Sequence, residues 1–254
     1  MVSHMKNKNS IVLELKALEI RLTADTTPLF SNLSLSLKQG EILGIIGASG
    51  SGKSSLINAI MQALSDDFIL SGEIQIAQGA RLALAAQSRN ALNPTTKIGQ
   101  QLSQFIPKNS WLTRKNKDKV REALAHAQLP FSVAELYPYQ LSGGMAKRVL
   151  SALAFIQQPD ILIADEPSCG INDEYSEPLF GHYQHLAHTD GKTVIIVSHD
   201  LSHVINIADH ILVLDSSRDD AVPSSEYTTP THIINGDSNA YSQALWHALP
   251  KNWN

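Results

Sequence analysis

The sequence predicts an α/β fold built around a mostly parallel sheet, and two observations carry this prediction. Short apolar runs rich in Ile, Leu and Val recur at residues 42–46, 161–164, 194–197 and 211–214. Segments with helical character lie between them, at residues 53–64, 117–127 and 145–156. Buried strands that alternate with helices are typical of a parallel sheet covered by helices on its faces.

Composition limits the function classes that remain open. The 254 residues suffice for one large domain or two small ones, and the formal net charge of −4 lacks the basic excess of a nucleic-acid binder. The one cysteine, Cys169, cannot form an internal disulfide, which fits a reducing cytosol. The sequence contains no run of about 18 apolar residues, so it predicts no membrane-spanning helix. Residues 1–4 resemble an expression-tag remnant, which makes Met5 the expected natural start.

Three stretches depart from the strand–helix alternation. Residues 87–141 contain four prolines and are expected to form a mostly helical insertion with turns. Residues 216–230 are polar and predict a loop or a mobile connection. A last helix is expected at residues 239–248.

Residues 47–54 have the sequence Gly-Ala-Ser-Gly-Ser-Gly-Lys-Ser, which matches the phosphate-binding pattern G-x-x-x-x-G-K-[ST] between a strand and a helix. Glycines let successive N–H groups face one anion, and the following helix adds its positive end. Lys53 is expected to reach the β- and γ-phosphates and Ser54 to ligate Mg²⁺. The flanks argue against an incidental glycine-rich turn. The predicted ATP contacts are Gly47, Ala48, Ser49, Gly50, Ser51, Gly52, Lys53, Ser54 and Ser55.

An apolar strand followed by Asp165 and Glu166 predicts the acidic part of the same site. Carboxylates at the carboxyl end of a parallel strand lie at the edge where a phosphate loop also sits. Asp165 is the expected partner of Mg²⁺, and Glu166 the base or water-orienting group. Alone, such a pair is often a solvated turn, but a complete phosphate loop makes the prediction strong.

Residues 141–144, Leu-Ser-Gly-Gly, open the helix-like run and stand 23 residues before Asp165, counted from Ser142. With this motif the chain resembles the ABC ATPase family. The resemblance implies that Ser142, Gly143 and Gly144 close on ATP held by a second subunit. It also implies that His199 contacts the γ-phosphate as the switch histidine. Gln87 then matches the glutamine that senses Mg²⁺ and serves as both catalytic and metal-site residue.

The resemblance also implies a fold and a domain plan. The fold is that of a P-loop NTPase, RecA-like and mostly parallel, with an antiparallel β segment and an inserted helical subdomain. Residues 5–254 would form one nucleotide-binding domain. Its α/β core would comprise residues 12–86 and 157–235, its helical subdomain residues 87–156, and its C-terminal helix residues 236–254.

Three stretches make the chain similar to the ATPases of nickel, dipeptide and oligopeptide importers. They are residues 91–99, 137–140 and 241–250. The resemblance implies a second, non-identical ATPase, two transmembrane permease subunits and, indirectly, an extracytoplasmic binding protein. It places the chain peripherally on the cytoplasmic face of the inner membrane, with ATP and Mg²⁺ as cofactors and without nucleic acid. Peptide-importer members commonly carry a cysteine-bearing C-terminal extension. Its absence here favours nickel or a metal chelate as cargo, with a peptide as the alternative.

Two positions depart from the family pattern. Asn172 stands where the family has an aspartate that organises the opposite site across the dimer, so hydrolysis could be slower or asymmetric. This keeps a mainly ATP-binding partner subunit open as a further alternative. Arg21 or Leu22 occupies the region of the adenine-stacking aromatic. The chain shows neither the paired cassettes nor the long coiled-coil insertion usual in DNA-repair and ribosomal relatives, and a kinase would leave the Leu-Ser-Gly-Gly motif unexplained.

Overall fold

The computed structural model describes residues 10–85, 91–106, 114–169, 173–215 and 225–249. The chain divides into two compact units, one formed by Met1–Ala80 with Gln184–Asn254 and the other by Arg81–Tyr183. In the described residues, no helix is both long enough and apolar enough to cross a membrane.

The first unit contains an antiparallel sheet and a mainly parallel one. The strands of this unit are β1 (Ile11–Leu22), β2 (Phe30–Lys38), β3 (Ile42–Gly47), β4 (Phe68–Ile76), β7 (Thr193–Ser198), β8 (His210–Leu214) and β9 (Ser225–Thr228). The strand order is β2-β1-β4 in the antiparallel sheet and β7-β3-β8-β9 in the part of the other sheet that belongs to this unit. Its helices are α1 (Lys53–Ile60), α6 (Leu201–Val204), α7 (Pro230–Asn235) and α8 (Ala240–His247).

Strand β3 is the centre of the parallel part. All six of its residues are buried, and it pairs in parallel with β7 on one side and β8 on the other. A strand that is buried on both faces explains why its sequence is continuously apolar rather than alternating. The predicted strands at residues 42–46, 194–197 and 211–214 are therefore confirmed. Phe30, the first residue of β2, is 0% exposed.

The second unit contains two parallel strands and a group of helices. Strands β5 (Leu82–Ala85) and β6 (Ile161–Asp165) pair in parallel. The helices are α2 (Ile98–Ser103), α3 (Arg114–His126) and α4 (Gly143–Phe155), with 3₁₀ turns at Phe131–Glu135 and Pro138–Gln140, and α5 (Asp173–His188) begins here. One hydrophobic cluster joins α2, α3, α4 and the first 3₁₀ turn, from Leu92 to Ile156. The predicted bounds of the core and of the subdomain remain predictions.

Two predictions about local structure need correction. Residues 216–230 are not all loop, because Ser225–Thr228 forms β9 antiparallel to β8. The strand was not predicted because its sequence is polar. It is stabilised by Tyr227, a good strand former, whose ring lies 5.2 Å from that of His210 and whose hydroxyl donates to Ser36 O at 3.0 Å. Residues 216–224 lie outside the described part of the chain.

The first helix is shorter than predicted, since α1 ends at Ile60 rather than at residue 64. Gln62 adopts a left-handed backbone with φ 56°, and Ala63 N donates to Asn58 O at 2.7 Å. Together with the bond from Gln62 N to Ala59 O, this forms a helix-ending motif that usually has glycine at the left-handed position. Because Gln62 rather than glycine occupies this position, the sequence did not indicate where the helix ends.

Candidate functional site

The glycine-rich loop connects the end of β3 to the start of α1. Gly50 and Gly52 adopt left-handed backbones with φ 81° and 93°, which curl the chain where a residue with a side chain would be strained. Gly52 is the N-cap residue of α1, and no side chain caps this helix. The N-cap residue of α1 therefore offers no side-chain acceptor to the first turn, and a helix N-terminus is a favourable place for an anion.

Ser51 supplies a second sign that this loop is built for a ligand. Ser51 is 1% exposed, and its hydroxyl oxygen is buried without a hydrogen-bond partner among the described residues. Buried hydroxyl groups are rarely left unsatisfied in native proteins. The loop thus fits a polyphosphate, which would bring oxygen acceptors to the helix start and to this hydroxyl.

Lys53 reaches back across the loop to its beginning. Its Nζ donates to Gly47 O at 2.6 Å and to Ala48 O at 2.8 Å. These bonds hold one positive charge beside the curled backbone, where the sequence motif predicts the β- and γ-phosphates. Ser54, the expected Mg²⁺ ligand, is exposed in the first turn of α1.

His199 lies at the same edge of the parallel sheet as the loop. In the register of β3 with β7, Ile46 pairs with Ser198, so Gly47 and His199 follow neighbouring strand ends. His199 is exposed. Asp200 then starts α6, where its carboxylate accepts from Ser202 N at 2.7 Å. Burial acts to raise the pKa of Asp200, but the bonds from Ser202 and the charges of His203 and His199 outweigh it, so this pKa is lowered.

In the second unit, Asp165 and Glu166 stand at the carboxyl end of the buried strand β6. Glu166 is only 9% exposed and has a left-handed backbone with φ 50°, an unusual conformation for a glutamate. Its carbonyl accepts from Cys169 N at 3.2 Å, which closes a turn directly after the strand. Strained backbone of this kind clusters at functional sites.

The Leu-Ser-Gly-Gly motif opens α4 as predicted. Ser142 is the N-cap residue, and its hydroxyl accepts from Met145 N at 3.2 Å. A Cβ added to Gly143 or Gly144 would meet nothing within 4 Å, so there is free space beside these two residues. Farther along α4, Lys147 donates to the Cys169 carbonyl of the same unit. The motif thus forms the capped N-terminus of α4, with two glycines in its first turn.

The structure places the predicted site residues in two sets. The phosphate loop and His199 lie in the first unit, whereas Ser142–Gly144, Asp165 and Glu166 belong to the second. Gln87 and Asn172 lie outside the described residues. Arg21, the candidate for an adenine contact, donates to Asp25 O at 3.2 Å.

Comparisons with known proteins find relatives of this chain. A family model described as "ABC transporter" matches residues 30–169. The chain is 34% identical over 205 residues to the "Probable D,D-dipeptide transport ATP-binding protein DdpD" of Escherichia coli (strain K12), covering 72% of this chain and 62% of that protein. It therefore spans less than two thirds of that relative's length.

A second relative and a solved structure extend the comparison. The dipeptide transport ATP-binding protein DppD of Haemophilus influenzae is 29% identical over 262 residues, covering 94% of this chain and 78% of that protein. A dimeric structure of a post-hydrolysis state of an ATP-binding cassette, bound to ADP and Pi, superposes with a TM-score of 0.70 at 26% identity, covering 84% of this chain and 97% of the other.

Proposed function

Because the chain belongs to the ABC transporter family, we propose that it is the ATP-hydrolysing subunit of an ABC importer. The observation that carries this proposal is the phosphate loop, where left-handed glycines, an uncapped helix start, the orphaned Ser51 hydroxyl and the Lys53 charge converge. Together these features match a bound polyphosphate better than any other small anion, because they offer several donors along a curled path.

Each residue has a distinct task in the proposed reaction. Lys53 and the loop amides bind the phosphates and offset their charge. The Ser54 hydroxyl and the Asp165 carboxylate would hold Mg²⁺, which when bound neutralises charge on the phosphate oxygens. Glu166 accepts a proton from the attacking water or orients it, and His199 donates a hydrogen bond toward the γ-phosphate. Gln87 is assigned to the Mg²⁺ site by the same motif reasoning.

The start of α4 supports a model in which two ATPase subunits act as a pair. Its glycines leave room for an anion, and Ser142 at the N-cap adds a hydroxyl. In our proposal this surface closes on ATP held by a second ATPase, and the pair works beneath two membrane permease subunits at the cytoplasmic face. The solved cassette bound to ADP and Pi is dimeric, which favours this arrangement.

Glu166→Gln is the central test of hydrolysis, with Glu177→Gln as a matched control. Glu177 is an exposed residue of α5, so the control makes the same charge change away from the motifs. We expect Glu166→Gln to lower ATP turnover about 10²- to 10⁴-fold while MgATP binding persists. Normal turnover in this variant would refute the assignment of the base. Absence of MgATP binding by the unaltered chain would refute the proposed function itself.

The mass of Glu166→Gln protein in solution, with and without MgATP, decides the partner. A shift from monomer to dimer with MgATP would show that its own residues 142–144 can close its own phosphate site. A protein that binds MgATP and stays monomeric would point to a non-identical second ATPase. The sequence resemblance favours the second outcome.

For the cargo, we propose small peptides as the better-supported class. Both relatives reported above are named for dipeptide transport. Nickel or a metal chelate, the cargo favoured by sequence alone, has no support from these relatives and stays a prediction. Uptake of a labelled dipeptide and of radioactive nickel in cells carrying either the unaltered chain or Glu166→Gln distinguishes them. The true cargo should enter only with the unaltered chain.

A further inference from the structure

One face of the antiparallel sheet packs against the phosphate loop of the same unit. Phe30 begins β2, and a Cβ built on Gly52 of the loop would lie 3.2 Å from the Phe30 ring. Phe30 pairs with Ile20 of β1, and Leu29 N donates to Ile20 O at 2.8 Å. Residues directly opposite each other in antiparallel strands lie on the same face of the sheet. The face that carries Ile20 and Phe30 is therefore the one beside the loop.

This face continues to Phe68 on the edge strand β4. Leu22 follows Ile20 by two residues of β1, so the two side chains share a face. In the register of β1 with β4, Leu22 pairs with Phe68. Ile20 and Phe30 are fully buried, whereas Leu22 and Phe68 are half-buried. The Phe68 ring thus lies at the solvent-exposed margin of the face that packs on the phosphate loop.

Backbone hydrogen bonds fix the start of β4, where Phe68 stands. Phe68 N donates to Ser65 O at 3.1 Å, which closes a turn before the strand. Thr23 N donates to Asp67 O at 2.7 Å, so the contact between the chain after β1 and the chain before β4 extends past the last ladder pair. A side chain on a fixed backbone loses little freedom when a ligand binds to it.

A nucleotide held by the phosphate loop also needs a surface for its base. In a loop of this pattern the backbone N–H groups cradle the α- and β-phosphates, and the lysine reaches the β- and γ-phosphates. The ribose and base therefore leave the loop from the α-phosphate and lie beside it. A base binds well to an aromatic ring because the two π-faces stack. Leu22 stands in the region of the family's adenine-stacking aromatic, and the ring of Phe68 lies directly across the ladder from it.

The other candidate for the base contact, Arg21, lies on the opposite face. Successive residues of a strand alternate between the two faces, so Arg21 points away from the face of Ile20 and Leu22. Arg21 pairs with Ile69 of β4. Its Nη1 also donates to Asp25 O at 3.2 Å, in the chain that follows β1. The geometry therefore favours Phe68 over Arg21.

We propose that Phe68 stacks on the base of the ATP held by this chain's own phosphate loop, with Leu22 packing beside it. This inference rests on the proposed function. It moves the aromatic contact from β1 to the neighbouring strand β4, at the position that faces Leu22 in the ladder. Because every base has a π-face, the contact strengthens nucleotide binding without selecting adenine over other bases.

The test compares Phe68→Ala with Ile69→Ala in the full chain, with two ligands. Ile69 is the next residue of β4, is exposed and lies on the opposite face, so its variant removes an apolar side chain away from the loop. We expect Phe68→Ala to bind MgATP about 5- to 100-fold more weakly, the effect of one lost stacking contact, and Ile69→Ala to bind it as the unaltered chain does. Magnesium tripolyphosphate has no base, so its affinity should be equal in all three proteins.

Two further variants separate a lost ring from a damaged sheet. Phe68→Leu keeps an apolar side chain for packing and should also weaken MgATP binding, which provides the measurement if Phe68→Ala does not fold. Adding Leu22→Phe to Phe68→Leu returns a ring to the same face from the opposite strand. This double variant should bind MgATP more tightly than Phe68→Leu alone, a gain that a purely structural role of Phe68 would not produce.

Three results would overturn the inference while leaving the proposed function intact. They are unchanged MgATP affinity in the Phe68 variants, an equal loss of affinity for MgATP and for magnesium tripolyphosphate, and no gain from Leu22→Phe. If the unaltered chain bound neither MgATP nor magnesium tripolyphosphate, the proposed function would fail and this inference with it.

Discussion

Replacing Gly52 by alanine should destabilise the protein for two separable reasons. The backbone of Gly52 is left-handed with φ 93°, which costs an L-residue about 1–2 kcal/mol. The new methyl group would also lie 3.1 Å from Leu29 Cβ and 3.2 Å from the ring of Phe30. Phe30 is 0% exposed and cannot move without disturbing the core, so overpacking adds about 1–3 kcal/mol. The expected loss is about 2–5 kcal/mol.

Gly50→Ala is the matched control for this prediction. Gly50 has a similar left-handed backbone with φ 81°, but an added Cβ would meet nothing within 4 Å. Its expected loss is the backbone part alone, about 1–2 kcal/mol. Urea unfolding of both variants measures the difference, which should be about 1–3 kcal/mol if the midpoint shifts without a change in slope. A loss in Gly50→Ala equal to or larger than that in Gly52→Ala would refute the steric argument.

Other expected outcomes concern packing, ionisation and backbone strain. A methyl group at Gly44 would lie 2.3 Å from Val204 Cγ1, so Gly44→Ala should cost about 1–3 kcal/mol, and Val204→Ala should relieve part of that loss in a double-mutant unfolding cycle. Simple additivity would contradict the contact. Burial raises the pKa of Tyr183 to about 12 from its ordinary 10.0, so its stabilisation is complete below pH 10 and is lost by about pH 12, because the unfolded phenol ionises first. In unfolding titrations across this window, the unaltered chain should lose roughly 2–3 kcal/mol more than Tyr183→Phe does, and equal losses would argue against this prediction. At Glu166, with φ 50°, glycine should be about 1 kcal/mol more stable than alanine, and equal unfolding free energies would exclude backbone strain there.

The regular elements were predictable because their signals are local. The apolar runs that form β3, β6, β7 and β8 carry enough Ile, Leu and Val to indicate buried strands, and the structure confirms each within one or two residues. Helix α4 was placed by its apolar face, but the capping bond from Met145 N to Ser142 moves its start to Gly143. Strand β9 escaped prediction because its pairing partner, rather than its own polar sequence, makes it a strand.

The candidate site also has features that local sequence patterns predict and features that depend on pairing between distant residues. Motif spacing identified the phosphate loop, whose curled backbone and Lys53 bonds now support the prediction. The pairing of Ile46 with Ser198, which brings Gly47 and His199 to neighbouring strand ends, joins residues that lie far apart in the chain. No local sequence pattern encodes such a pairing, whereas the functional residues of a motif are close together in the sequence.

Backbone strain distinguishes the phosphate loop of the first unit from the end of β6 in the second unit. In the phosphate loop, the left-handed positions are occupied by Gly50 and Gly52, so the backbone path carries little strain. At the end of β6, the left-handed position is occupied by Glu166, although glycine would relieve the strain there. A left-handed backbone at a residue other than glycine lowers stability through its conformation. Folding alone gives no reason for a glutamate at this position, which supports the role in hydrolysis that we propose for its carboxylate.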